Sequence, residues 1–174
     1  MHPVHSIALW PTLIVLVIAT ISDIRTRRIP NRLVFPFLAA GVTVNGVAQG
    51  MRGVAQSAAG IGIAAAVLGV LWYLRGMGMG DLKLFAAVGA WIGPSQLITA
   101  LVATAMAGGF LALAYALWNR SLGKCIDGTG ELVSGFFRDG FRPHKELRLE
   151  NAAALKVPYA AAIAIGTMFS FYAL

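Results

Sequence analysis

Two aspartates, Asp23 and Asp81, differ from the other acidic residues of this sequence in their apolar surroundings. The sequence contains seven acidic residues, and the other five lie in one polar stretch, at Asp127, Glu131, Asp139, Glu146 and Glu150. Asp23 follows one long apolar segment and Asp81 precedes another. Ionisable groups at such positions are costly in a membrane and usually have a function. We therefore take these two residues as the candidates for chemistry.

Two carboxylates that share one proton can hydrolyse an amide bond. The ionised aspartate takes a proton from the attacking water, and the protonated partner donates to the carbonyl oxygen of the scissile bond. This reaction needs no metal, no cofactor and no nucleophilic side chain. We therefore expect Asp23 and Asp81 to be the catalytic residues of a hydrolase without a cofactor.

The residues beside Asp81 suggest how a peptide would approach it. Gly76, Gly78 and Gly80 alternate with methionines directly before the acid, and Lys83 follows it. Because glycine lets another backbone come close, we expect Gly78 and Gly80 to bind an extended substrate. A flexible loop or helix start explains the glycines equally well when they are considered alone. A cytoplasmic loop position explains Lys83.

Structural explanations exist for both aspartates. Asp81 is a suitable N-cap for the helix that follows it, and Asn31 for the second helix. Asp23 has Arg25 and Arg27 nearby as possible ion-pair partners. A carboxylate near the C-terminal end of a helix opposes the helix dipole, however, so helix stability does not explain Asp23.

The elements that position these residues are predicted to be membrane helices. The chain has 174 residues, 58% of them apolar and only 12% charged, and this composition is typical of a protein with the bilayer as its solvent. A spanning helix needs about 20 apolar residues. We predict one all-α membrane domain over residues 1–174, a bundle of about six transmembrane helices at 4–22, 32–49, 54–74, 82–94, 95–118 and 153–173. The break between the fourth and fifth spans is placed at Gly93-Pro94.

The distribution of charge predicts the topology. With the N-terminus outside, all basic residues except Arg52 lie on the cytoplasmic side, including those of a cytoplasmic loop at 119–152. That arrangement brings Asp23 and Asp81 to the same face of the bilayer. The net charge of +7 is spread between apolar segments, which excludes a nucleic-acid-binding surface. Cys125 is the only cysteine, which excludes an intrachain disulfide or a cysteine-based zinc site.

Three segments resemble one protease family. Gly78-Met79-Gly80-Asp81-Leu82-Lys83 resembles the Gly-x-Gly-Asp signature of intramembrane aspartyl proteases. The segment from Asp23 to Asn31 resembles the first-aspartate segment of prepilin and preflagellin peptidases, and residues 157–162 resemble their last helix. The resemblance covers nearly the whole chain, and Asp23 and Asp81 match the catalytic pair of that family. Lys83 also follows the family pattern, so the resemblance implies that it binds substrate together with Gly78 and Gly80.

The resemblance implies a peptidase of the bacterial inner membrane, embedded in the lipid bilayer. Its partner is then a type IV prepilin-like precursor, from which it removes a basic leader at the cytoplasmic face. Full-length relatives add a methyltransferase domain with a four-cysteine zinc site. Because this chain has only one cysteine, it resembles the short form found with tight-adherence (Flp) pili. N-methylation is not expected. A small proton-coupled transporter and a non-catalytic membrane scaffold for pilus assembly are the alternative functions.

Overall fold

The structure, a computed structural model, describes residues 3–26, 28–74, 77–118 and 159–173. All regular secondary structure in these ranges is α-helical, which confirms the predicted all-α class for this part of the chain. The helices are α1 (Pro3–Thr26), α2 (Asn31–Gln49), α3 (Met51–Tyr73), α4 (Met79–Trp118) and α5 (Tyr159–Ala173). The predicted loop 119–152, Cys125 and the first residues of the last predicted span lie outside the described residues.

The connection between α1 and α2 is short and held by hydroxyl groups. α1 continues through Asp23 to Thr26, beyond the predicted end of the first span at residue 22. The Ser22 hydroxyl donates to the carbonyl oxygen of Arg28 at 2.8 Å. The Thr26 hydroxyl donates to the carbonyl oxygen of Ser22 at 2.8 Å and lies 3.2 Å from the same Arg28 oxygen. The N-cap of α2 is Pro30, so the prediction of Asn31 as the cap is wrong by one residue.

The helix α4 changes direction at Gly93, which has a φ of 72° and a ψ of −178°. A Cβ built on Gly89 would lie 3.1 Å from Leu97 Cδ2. Eight residues of straight helix would separate these two positions by about 12 Å. The two halves of α4, residues 79–92 and 94–118, therefore fold back on each other. Gly93 supplies the left-handed backbone and Pro94 starts the second half, so the break lies where it was predicted.

The first half of α4 packs against α2 and α3 in the centre of the molecule. Residues 84–91 are all buried, as expected for a helix surrounded by others. The Asn45 amide donates to the carbonyl oxygen of Ala90 at 2.8 Å, and the Ser57 hydroxyl donates to the same oxygen at 2.7 Å. Gly60 lies so close to the Gly89 backbone that no Cβ fits between α3 and α4. We call α2, α3 and residues 79–92 the central region.

The helices α1 and α5 pack beside this region, together with the second half of α4. α1 contacts α5 more extensively than α2 or α4. α5 rests on the second half of α4 through Gly166, which lies against Thr104. In the described residues, buried hydroxyls of Thr12, Thr104 and Thr167 have no hydrogen-bond partner. We call α1, α5 and residues 94–118 the lateral region.

Three of the described helices are long and apolar enough to cross a bilayer: Ile7–Thr26, Met51–Tyr73 and Met79–Ala114. α5 is apolar but shorter. Large apolar side chains on the outer faces, including Trp10, Met106 and Phe169, are exposed. Such a surface suits lipid contact. Six crossings and an external N-terminus remain predictions.

Candidate active site

Asp81 lies in the first turn of α4, as the third residue of the helix. Its carboxylate lies against the backbone at Gly78. A Cβ built on Gly78 would lie 3.2 Å from Asp81 Oδ2, which shows how closely the carboxylate folds back. Because α4 begins at Met79, the residue at the N-cap position is Gly78. The alternative that Asp81 is itself the N-cap is therefore wrong.

Asp23 lies in the last turn of α1, and α5 begins beside it. The backbone N–H of Ala160 donates to Asp23 Oδ2 at 3.4 Å. Within the described part of the chain, Arg25 is exposed and makes no ion pair with Asp23. Arg27 lies outside the described residues. The hydrogen-bond partner of Asp23 in the structure is thus a backbone N–H of α5, whereas the sequence suggested a neighbouring arginine.

The two segments that contain the aspartates touch each other next to Asp81. A Cβ built on Gly80 would lie 3.4 Å from Ile29 Cβ and 3.5 Å from Ile29 Cγ1. Ile29 belongs to the connection after α1, and Gly80 is the residue before Asp81. Both carboxylates therefore lie at the same end of the helix bundle.

Lys83 lies beside this junction and links α4 to α2. Its amine donates to Asn31 Oδ1 at 3.2 Å and lies 5.6 Å from the centre of the Phe35 ring. Since an ammonium group has three donors, one hydrogen bond to Asn31 leaves two for another partner. The structure brings the predicted site residues Gly78, Gly80, Asp81 and Lys83 together at the start of α4.

The group that sequence reasoning missed is the backbone N–H of Ala160. No residue type marks a backbone donor, so the only available signal was the unfavourable position of Asp23 in its own helix. No three His, Cys, Asp or Glu side chains in the described ranges are grouped to hold a metal ion. The site as described consists of two carboxylates on segments that meet at Ile29 and Gly80, and the Asp23 carboxylate accepts a hydrogen bond from the Ala160 N–H.

Comparison with known proteins identifies the family to which this protein belongs. The sequence profile of the type IV leader peptidase family matches residues 10–113. This match covers more than half of the chain and includes both aspartates. The protein therefore belongs to the type IV leader peptidase family, a family of peptidases.

Curated relatives support the same assignment. A prepilin leader peptidase/N-methyltransferase of Burkholderia pseudomallei is 34% identical over 103 residues, which are 56% of this chain and 33% of the relative. A protein of the same name from Aeromonas hydrophila is 35% identical over 109 residues, which are 59% of this chain and 38% of the relative. The match with these relatives thus covers little more than a third of their length. No solved structure matches the chain.

Proposed function

We propose that this protein is an aspartic endopeptidase that removes the leader peptide from type IV prepilin-like precursors at the cytoplasmic face of the bacterial inner membrane. Family membership supports leader cleavage. The observation on which the aspartic mechanism rests is that the Asp23 and Asp81 segments meet at Ile29 and Gly80, next to the Asp81 carboxylate. A pair of acids at one end of an apolar bundle suits a cleavage site at the membrane surface.

In the proposed reaction, one carboxylate is ionised and the other is protonated. The ionised group takes a proton from a water molecule, which attacks the carbonyl carbon of the scissile bond. The protonated partner donates to the carbonyl oxygen and stabilises the charge that develops there. When the tetrahedral intermediate collapses, the C–N bond breaks and the leaving amine takes a proton from the pair.

The substrate approaches along the start of α4 in this proposal. Gly78 and Gly80 lack side chains on the segment that precedes Asp81, so an extended precursor strand can come close to the backbone there. Lys83, with its remaining N–H donors, can bind a carbonyl or carboxylate group of the same strand. Neither contact requires a metal or a cofactor.

The proposed product is a cleaved precursor that is not N-methylated. The curated relatives are named as both peptidases and N-methyltransferases. This chain has a single cysteine, Cys125, and so lacks the four-cysteine set that the full-length form of the family uses for zinc. The similarity to the short form found with tight-adherence pili is consistent with cleavage alone.

Cleavage of a candidate precursor by Asp23→Asn and Asp81→Asn variants tests the function. Each variant should insert in the membrane like the wild type and cleave at least about 100-fold more slowly, because each removes one half of the acid–base pair. Mass spectrometry of the co-expressed precursor measures removal of the leader and any added methyl group. An Asp127→Asn variant, which changes an acid of the predicted loop 119–152 and none of the proposed site residues, should cleave normally. Unchanged cleavage in both site variants would contradict the aspartic mechanism and favour another catalytic group.

A further inference from the structure

The position of Asp23 requires an explanation from outside its own helix. Asp23 lies in the last turn of α1, where the negative end of the helix dipole disfavours a carboxylate. The first turn of α5 supplies the opposite environment. Its Ala160 N–H points at Asp23 Oδ2, with a donor–acceptor distance of 3.4 Å.

The N–H of Ala160 has no acceptor inside its own helix. α5 begins at Tyr159, and the first N–H groups of an α-helix have no carbonyl four residues earlier to bond to. Ala160 is fully buried, with 0% of its surface exposed, which keeps bulk water away from the group. A buried donor without a partner is costly, so Asp23 and Ala160 satisfy each other.

Packing fixes the start of α5 independently of Asp23. A Cβ built on Gly108 would lie 3.7 Å from Ala162 Cβ and 3.7 Å from Tyr159 Cε1, so the first turn of α5 rests on the second half of α4. Further along, Gly166 lies directly against Thr104. These contacts hold the Ala160 N–H in position without any contribution from the Asp23 carboxylate.

We propose that the backbone N–H of Ala160 is a positioning group for the reaction, which holds Asp23 Oδ2 and directs the other oxygen, Oδ1, to the chemistry with Asp81. This inference rests on the proposed function of Asp23. Ala160 does not touch the substrate in this scheme and acts only through the carboxylate.

An ester substitution at residue 160 tests this role. Incorporation of lactic acid in place of Ala160 replaces the N–H with an oxygen and keeps the methyl side chain. Because small displacements of a catalytic group have large effects on rate, we expect kcat to fall by about 10- to 100-fold with KM nearly unchanged. The same substitution at Ala164 is the matched control, since it removes an N–H inside α5 without affecting Asp23. It should leave kcat close to that of the wild type.

Two ordinary substitutions provide an independent comparison. Ala160→Pro also removes the N–H, and proline is tolerated in the first turn of a helix. Ala160→Gly keeps the N–H. We expect kcat to fall strongly in the proline variant and to stay within about 3-fold of the wild type in the glycine variant. An unchanged melting temperature of each purified variant shows that it is folded. If the proline variant does not fold, the ester variant alone tests the role of the Ala160 N–H.

The possible results separate this inference from the proposed function. Wild-type kcat in the Ala160 ester variant, or an equal loss in the Ala160 and Ala164 ester variants, would overturn the positioning role. If the Asp23→Asn variant is inactive while the Ala160 ester variant is fully active, only the positioning role fails. If the Asp23→Asn variant cleaves normally, the proposed function fails first.

Discussion

The central and lateral regions each contribute one of the two aspartates, but they hold their helices together differently. In the central region, the side chains of Asn45 and Ser57 satisfy a buried carbonyl, and Gly60 brings two backbones into contact. In the lateral region, small residues form the contacts, and the buried hydroxyls of Thr12 and Thr167 have no described partner. Asp81 thus belongs to the region whose helices are joined by more side-chain hydrogen bonds. We infer that substitutions at the packed residues of the central region, away from the start of α4, affect mainly stability, and that the position of Asp23 depends on few contacts.

A methyl group at Gly60 should have the largest effect on stability. Gly60→Ala places a Cβ against the Gly89 carbonyl group, so α3 and α4 must separate. We expect a loss of about 1–3 kcal/mol, measured as a lower melting temperature or lower yield of folded protein in detergent. Gly62→Ala is the control, because a Cβ there meets nothing within 4 Å. Equal stability of the two variants would show that the central region is not as tightly packed as described.

A methyl group at Gly80 tests the junction between the two regions. A Cβ there meets Ile29 at ordinary contact distances, so the Gly80→Ala variant should fold normally. If a substrate strand passes close to Gly80, KM should rise by about 3- to 10-fold, equivalent to about 0.7–1.4 kcal/mol of binding. In contrast, Gly78→Ala moves the Asp81 carboxylate, whose Oδ2 would lie only 3.2 Å from the new Cβ, and should lower kcat. An unchanged KM in Gly80→Ala would limit Gly80 to a packing role.

Loss of the Lys83 amine should have a smaller effect. Lys83→Met removes the hydrogen bond to Asn31 and the cation beside Asp81, whereas Asn31→Ala removes only the hydrogen bond. Since the bond is exposed, we expect neither change to alter stability by more than about 1 kcal/mol. If Lys83 binds substrate, KM for cleavage should rise a few-fold in Lys83→Met alone. The same KM in both variants would show that Lys83 serves only to join α2 and α4.

Removal of an unpaired hydroxyl in the lateral region should have the smallest effect. Thr167→Val keeps the shape of the side chain and removes a buried oxygen without a described partner. We expect an unchanged or slightly higher melting temperature, because a buried polar group without a hydrogen bond is unfavourable. Ser57→Ala, its counterpart in the central region, should lower stability by about 0.5–1.5 kcal/mol through loss of the bond to Ala90. Equal effects of the two substitutions would remove the distinction between the regions.

The features that the sequence predicted well depend on residue type and local pattern. The apolar composition predicted an all-helical membrane protein, and Gly93-Pro94 predicted the break in α4. Glycine with φ > 0 followed by proline restricts the backbone strongly, so the position of that break is readable without tertiary contacts. Residues 23–31 and 78–83 together indicated the leader peptidase family that the family comparison then showed.

The features that the sequence did not predict depend on tertiary contacts. The hydrogen bond from Asn45 to Ala90 joins residues that no helical period relates. Gly60 and Gly89 form a close contact. Many other small residues in the spans have similar neighbours in the sequence, so the sequence does not show which of them meet. The donor at Ala160 is a backbone group, which any residue in that position would supply. The one-residue error at Asn31, and the alternative that placed Asp81 at an N-cap, reflect the low precision of helix ends in sequence patterns.

Cross-linking in the membrane tests most directly whether Asp23 and Asp81 form a pair. Asp23→Cys and Asp81→Cys are combined in a Cys125→Ser background and treated with a short bifunctional methanethiosulfonate reagent. Asp23→Cys with Val47→Cys is the control pair, because Val47 is exposed and lies about 24 Å along α2 from Asn31. A single bridging reagent, detected by intact mass, should join residues 23 and 81 but not residues 23 and 47. Failure to join 23 and 81, when each single cysteine reacts with a monofunctional reagent, would contradict the pairing of the two carboxylates.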